Sequence, residues 1–271
     1  MSAALRLPPA LVAGMLVLAF MLACALVPGR IAPFDPLAFD YAALLQAPGR
    51  AHWFGTDQFG RDMLSRTISA ATIDLQIALF ATIAPLIVGT SIGLLVGYYG
   101  GIADALFGRL VDLVVTFPIL VLIIAIVAVL GPGLANMYIA IGVVGWVFYA
   151  RLMRGEVLVL RGQDFVSAAK VLGYGDARIL LRHILPNAAR PVLVYWMTDM
   201  ALAILLGSSL GYLGLGAQPP EAEWGVLIAD GKNFFTQAWW ISVFPGFAIV
   251  LCGIGFSLAG DGLADLLDAR R

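Results

Sequence analysis

Long uncharged runs alternate with short charged ones along this chain of 271 residues. The first run is Leu7 to Gly29, and the second lies between Asp74 and Asp104. A third extends from Leu113 to Ala150, 38 residues without a charge. That is too long for one helix. Gly131-Pro132-Gly133 breaks it and predicts two helices joined by a tight turn. The fifth predicted helix starts near Pro191, a residue suited to a first helical turn, and runs to about Leu213. The sixth is Trp239 to Ala259, with Trp239-Trp240 expected at a membrane interface. A charge at mid-bilayer costs roughly 2.5–3.5 kcal/mol on insertion scales, so uncharged runs of this length mark membrane spans. The pattern predicts an all-α membrane protein of about six spans.

Composition agrees. The chain is 61% hydrophobic and 12% charged, against about 25% charged in soluble domains. A net charge of -1 offers no field to recruit nucleic acid. Cys24 and Cys252 both fall in apolar runs and read as buried hydrophobes, not as a disulfide framework. Ala23-Cys24-Ala25 mimics a signal-peptide cleavage site, but Leu7 to Gly29 is long enough to span and reads as a retained anchor.

Lys and Arg set the orientation. Arg6, Arg109, the 151–190 loop and the tail (Arg270, Arg271) form one set, with 11 of the 16 cations. Arg30, Arg50, Arg61, Arg66 and Lys232 form the other. The bias places the 151–190 loop and both termini in the cytoplasm. Residues 1–73 then form an anchor helix plus a periplasmic segment. Residues 74–271 form a core of five spans that includes a cytoplasmic loop at 155–190.

That loop is the most distinctive segment. Asp164 to Leu172 predicts a short helix with Gly173 as its stop. Asp176 predicts the cap of a second helix, ended by Pro186. Ile179, Leu180 and Ile184 share one face of it, and Arg178 and Arg182 another. The two helices make a knob with Ala168 and Ala169 on its surface, small enough to admit a partner's groove. An amphipathic loop lying on headgroups is the alternative. The mixed charges Asp164, Lys170, Asp176, Arg178 and Arg182 favour a protein socket.

Other polar positions carry weaker expectations. Asp199, about two turns into the fifth span, lines a translocation path or makes a structural pair. Asp112 pairs with Arg109 within one turn. Asp57, Arg61 and Asp62 dock a receptor or partner, or cap the bundle themselves. His52 reads as a lone surface histidine, and His183 as a helix C-terminal one that complements the dipole. Gly89, Gly93 and Gly97 give one flat face for close helix approach. Gly207-Ser208-Ser209-Leu210-Gly211 matches a nucleophile-elbow pattern, but no span holds a histidine to activate Ser209, which disfavours an intramembrane hydrolase. A self-sufficient secondary transporter is the other rival, and no internal repeat supports it.

The loop resembles the coupling loop of ABC-importer permeases. Its Ser167-Ala168-Ala169, Gly173 and Ile184-Leu185-Pro186 match that motif, with Ser167 where the family pattern has Glu. Glu156 opens the same stretch. Three further segments resemble the C-type subunit of dipeptide, oligopeptide and nickel importers. They are His52 to Arg66; Tyr98-Tyr99-Gly100-Gly101 with Asp104, Arg109, Asp112 and Phe117-Pro118; and Tyr212 to Pro220 with Glu223-Trp224-Gly225. The tail Gly260-Asp261-Gly262 with Asp265 fits as well.

The resemblance implies two permease subunits forming a pore, two cytoplasmic ATPase subunits carrying ATP and Mg²⁺, and an external substrate-binding protein. It implies ATPase contact at Glu156, Asp164, Ala168, Ala169, Gly173, Arg178, Arg182 and Pro186. The chain itself has no Gly-x4-Gly-Lys-Ser/Thr phosphate loop and is expected to be neither an enzyme nor a cofactor binder. Dipeptide, oligopeptide, glutathione and nickel or metallophore cargo stay open, with Gln218-Pro219-Pro220 and Ala238-Trp239-Trp240 leaning toward dipeptides.

Overall fold

The computed structural model describes residues 7–268, so Arg6, Arg270 and Arg271 lie outside the described residues. The helices, in order, are α1 (Pro9–Leu26), α2 (Pro28–Ile31), α3 (Met63–Tyr99), α4 (Gly101–Thr116), α5 (Ile119–Leu130) and α6 (Leu134–Leu160). They continue with α7 (Asp164–Val171), α8 (Asp176–Ile179), α9 (Leu185–Tyr212), α10 (Trp224–Gly231) and α11 (Trp240–Asp268). A π turn at Leu180–Ile184 joins α8 to α9 without a break.

Among the described residues, four helical stretches are long and apolar enough to cross a membrane: α1, α3, the continuous 176–212 helix and α11. α4 and α5, bent by 88°, make a fifth if they count as one span. The fourth expected span corresponds to α6. Its 27 residues exceed the roughly 20 a span needs, and its last turns carry Arg151, Arg154 and Glu156. Large apolar side chains such as Leu16, Ile102, Val129 and Phe247 are exposed, as lipid-facing positions require.

Several boundaries differ from the sequence expectation. α3 begins at Met63, not after Asp74, and runs unbroken through the expected division at residues 73 and 74. Asp62 caps it by accepting from the Ser65 backbone N–H at 2.8 Å. The Leu113–Ala150 run breaks where Gly131 (φ +92°) and Gly133 (φ +137°) take conformations that side chains rarely adopt. It also breaks earlier, at Phe117-Pro118, because proline disfavours helix in the residue before it. Pro191 lies inside α9, and α11 runs past Ala259 to Asp268.

α3 is the axis of the bundle. It packs against α1, α6, α9, α10 and α11. Its contact with α6 is built on small residues. A Cβ at Gly89 would overlap the Trp146 carbonyl, one at Gly93 the Ala150 carbonyl, and one at Gly97 the Val157 side chain. α1 meets α11 in the same way, Gly14 against Ala259 and Gly262 against Leu11. Without a hydrophobic driving force between helices in lipid, this close backbone approach is what the contact gains.

Gly93→Leu is therefore expected to destabilise the folded chain by about 1–3 kcal/mol or to abolish folding. Gly108→Leu, where nothing lies within 4 Å, is the control. Thermal melts in detergent followed by size-exclusion chromatography distinguish them. Equal behaviour would remove the packing role of the glycine face.

Candidate functional site

The knob folds as a compact unit. α7 ends in a Schellman motif: the Gly173 N–H donates to the Lys170 carbonyl (2.9 Å) and the Tyr174 N–H to the Ala169 carbonyl (3.1 Å). Gly173 sits at φ +78°, which only glycine adopts readily. Val166, Ala169, Ile179, Leu180 and Ile184 are buried in one core with Leu94 of α3 and Met153 and Val157 of α6. Ala169 is thus a packing residue, not a surface one as expected, because it lies on the α7 face turned to that core. Ala168, Gly173, Arg178 and Arg182 are exposed, as are Asp164 and Pro186. Glu156 is half-buried on α6.

Polar contacts tie the knob to the Tyr99 end of α3. The Tyr98 hydroxyl donates to Asp176 (2.7 Å), Arg161 Nη1 donates to the Gly97 carbonyl (3.0 Å), and the Lys170 ammonium lies 5.4 Å from the Tyr98 ring centre. Arg178 stacks on Tyr174 at 4.0 Å. The second knob helix does not end at Pro186. The π turn just before the proline accommodates its ring and missing N–H, and the Asn187 side chain donates to the His183 carbonyl at 2.7 Å. His183 is accordingly inside a helix, stacked on Tyr174, not at a C-terminus. The tip of α7 presents Val171 and Leu172, 88% and 69% exposed.

Asp199 lies inside α9 and accepts from the Tyr149 hydroxyl of α6 at 2.5 Å, with Tyr195 edge-on to Tyr149. Of the two acids on α4, Asp112 is exposed and makes no ion pair with Arg109. Asp104 is the paired one, held by two nitrogens of Arg154 on α6.

Residues 89–271 match the family described as the binding-protein-dependent transport system inner membrane component. The dipeptide transport system permease protein of Alkalihalophilus pseudofirmus is 46% identical over 83% of this chain and 74% of that protein. The probable D,D-dipeptide transport system permease protein of Escherichia coli is 41% identical, over 97% and 88%. The glutathione transport system permease protein of Pectobacterium atrosepticum is 38% identical, over 98% and 88%. The chain belongs to this family of inner-membrane permeases.

At the far end of the permease from the knob, residues 32–62 and α10 form a cap. Asp57, Arg61 and Asp62, expected either to dock a receptor or partner or to cap the bundle themselves, are buried within the chain at 1%, 8% and 3% exposure. Arg61 Nε donates to Asp57 at 2.6 Å, and the Asp57 carboxylate also accepts from the Phe59 and Arg61 backbone N–H groups. Arg66 lies 3.6 Å from Asp57 and 3.7 Å from Asp230 of α10. Burial pushes the Asp230 carboxyl up, and Arg66 and Arg61 oppose the shift. His52 is not a lone surface residue: its Nδ1 lies 2.9 Å from Asp62. Asp57, Arg61 and Asp62 are thus paired within the chain, whereas the buried Arg66 Nε stays beyond hydrogen-bond distance of both carboxylates.

One pairing had no counterpart in the sequence reading. Asp74 of α3 and Glu223, both fully buried, hydrogen-bond to each other. Asp74 also accepts from the Trp224 N–H (3.0 Å) and faces the Ser208 hydroxyl of α9 (3.4 Å). Glu223 caps α10 by accepting from Gly225 (2.7 Å) and Val226 (3.0 Å). Burial pushes the Glu223 carboxyl up, against these N–H donors. The signal available in the sequence was Asp74 itself, the lone charge between Arg66 and Asp104.

Asp74→Asn keeps an acceptor for Trp224 and a donor for Glu223, and is expected to cost under about 1 kcal/mol. Asp74→Leu orphans both and is expected to cost about 3–5 kcal/mol. Thermal unfolding of the purified permease measures the difference. Equal losses would show that the carboxyl pair is not the clamp.

Proposed function

We propose that this permease is one half of the pore of an ATP-driven importer of short peptides. A second permease subunit forms the other half. Two ATPase subunits, which bind ATP and Mg²⁺, grip the knob from the cytoplasm, and an external binding protein delivers the cargo. The observation that carries this reading is the continuity of the knob with a span: α8, the π turn and α9 are one helix from Asp176 to Tyr212. A push on the exposed Val171–Leu172 tip and on the Arg178 and Arg182 face moves the end of a membrane helix directly. That helix carries Asp199 and, farther on, Ser208 beside the acid pair. Nucleotide in the motor and cargo in the receptor then bias one two-state element from opposite ends.

The charge pattern supports a cytoplasmic knob. Two of the arginines that count against this orientation, Arg61 and Arg66, are buried with Asp57 and Asp230 and offer no free surface charge. The Leu11 end of α1 meets the Gly262 end of α11, while the opposite end of α11 bonds the cap through the Trp240 indole and the Thr56 carbonyl. Dipeptides are the favoured cargo because two of the relatives at 41–46% identity are named dipeptide permeases. Glutathione is the second reading, favoured by the relatives at 38–42% identity that are named glutathione permeases.

Gly173→Pro removes both the left-handed φ and the N–H that closes α7. It is expected to leave membrane insertion intact and to abolish uptake and uptake-coupled ATP hydrolysis in the assembled importer. Transport at the wild-type rate would overturn the lever assignment.

Asp199→Asn keeps the hydrogen bond to Tyr149 but removes the charge. A substrate-path role predicts at least about a tenfold drop in uptake with an unchanged melting temperature. Unaltered uptake kinetics would leave Asp199 a purely structural partner of Tyr149.

A further inference from the structure

α1 and α11 pack backbone to backbone at one end and splay apart at the other. Gly14 meets Ala259, Gly262 meets Leu11, and Gly255 meets Val17 and Leu18. Beyond these contacts, toward the cap, the two helices and α3 enclose a cavity of about 290 Å³. Its floor, which includes Met21, Ala71 and Trp224, is closed. Its accessible walls are Phe20 of α1, Leu64 and Ile68 of α3, and Phe244, Phe247 and Leu251 of α11. Phe54 of the cap stacks on Phe244 at 3.9 Å and completes the lining.

Water has nothing to bind here. The strong hydrogen-bonding side chains of the lining are already committed: the Thr67 hydroxyl donates to the Met63 carbonyl at 2.7 Å and the Trp224 indole to the Thr67 carbonyl at 3.0 Å. A buried water needs roughly two to four polar partners. An empty apolar gap forfeits dispersion contacts along its walls, and in lipid no hydrophobic force between helices closes it. The occupant is therefore apolar, and the rim decides which apolar molecule enters. Phe20 and Phe247 are exposed there. Phe247 lies eight residues after the exposed Trp239, about 12 Å along a helix axis. With Trp239 at the interface and a hydrocarbon core about 30 Å thick, the rim opens inside the hydrocarbon of the leaflet on the capped side. Lipid tails are the apolar groups present at that depth.

We propose that this cleft binds one acyl chain of a membrane phospholipid, held between α1, α3 and α11 beneath the cap. It differs from ordinary lipid-facing positions such as Leu16 and Val129 in offering walls from three helices. The site is independent of the cargo reading.

Photocrosslinking of the assembled permease–ATPase complex, without receptor, tests it. Nanodiscs of phosphatidylethanolamine and phosphatidylglycerol carry a trace of phosphatidylethanolamine with a diazirine midway along one acyl chain, and adducts are mapped by peptide mass spectrometry. Leu64 and Ile68 are only half-exposed, yet their adducts are expected to exceed those on Leu16 and Val129. Ala248→Phe sets a ring into the cavity from the α11 wall. It is expected to lower the Leu64 and Ile68 adducts at least about tenfold and to leave those on Leu16 and Val129 unchanged. Ala248→Leu, a smaller insertion, is expected to give an intermediate loss, and melting temperature and elution volume check the fold of both variants. Adducts on Leu64 and Ile68 no more abundant than on Leu16 and Val129 would overturn the site, as would adducts unchanged in a folded variant. The wild-type comparison decides even where a variant misfolds. Absence of adducts at Phe20 and Phe247 as well would assign the rim to a contact with the second permease, and overturn the lipid site too.

Discussion

Asp74 sits in a helix that carries no other charge from Thr67 to Tyr99, and its carboxyl is fully buried. Water cannot satisfy it, so partners must come from the chain. Glu223, Trp224 and Ser208 supply them from two other elements. Satisfying one buried carboxyl thus fixes how α3, α9 and α10 meet. The surrounding packing has adapted to it. A Cβ at Gly211 would strike the Glu223 carboxylate, and one at Gly225 the Ser208 carbonyl. Trp224, fully buried, adds a bond from its indole to the Thr67 carbonyl at 3.0 Å. These contacts hold α3, α9 and α10 closely together at this end of the bundle.

The other end is bound to the same helix by different means. Tyr98 and the Gly97 carbonyl hold the knob through Asp176 and Arg161. Thr67 and Tyr98 are 31 residues apart on α3, about 46 Å along a helix axis. α9 runs alongside, from the knob to the acid pair. Two long helices are thus joined at both ends, by hydrogen bonds at the knob and by the buried Asp74, Glu223 and Ser208 groups at the cap. The Ser208–Asp74 contact lies where α9 meets α3. Small-residue packing holds α6 closely against the same helix.

Much of this was legible in the residue pattern. The Gly131–Gly133 break, the glycine face of α3 and the α7–Gly173 stop follow from local rules that need no tertiary knowledge. The loop motif and the Asp104 segment carried the family. What the pattern misplaced has one physical source. Charges and prolines were read as boundaries, on the premise that neither belongs inside a span. Asp74 is inside because Glu223 meets it, and Pro186 and Pro191 are inside because a π turn and neighbouring groups absorb their cost. For Asp57, Arg61 and Asp62 the pattern left docking and self-capping open, because a short segment rich in charge does not show its partners, Arg66 and Asp230, until they are placed beside it.

The same logic separates groups that hold the fold from groups that await a ligand. In a membrane permease each buried polar atom has a cost, so those matched within the chain explain themselves. Asp104 with Arg154, Asp62 with Ser65, and Trp196 with Thr82 need nothing further. Val171 and Leu172 at the tip of α7 are the converse case, two apolar side chains that the described residues leave uncovered.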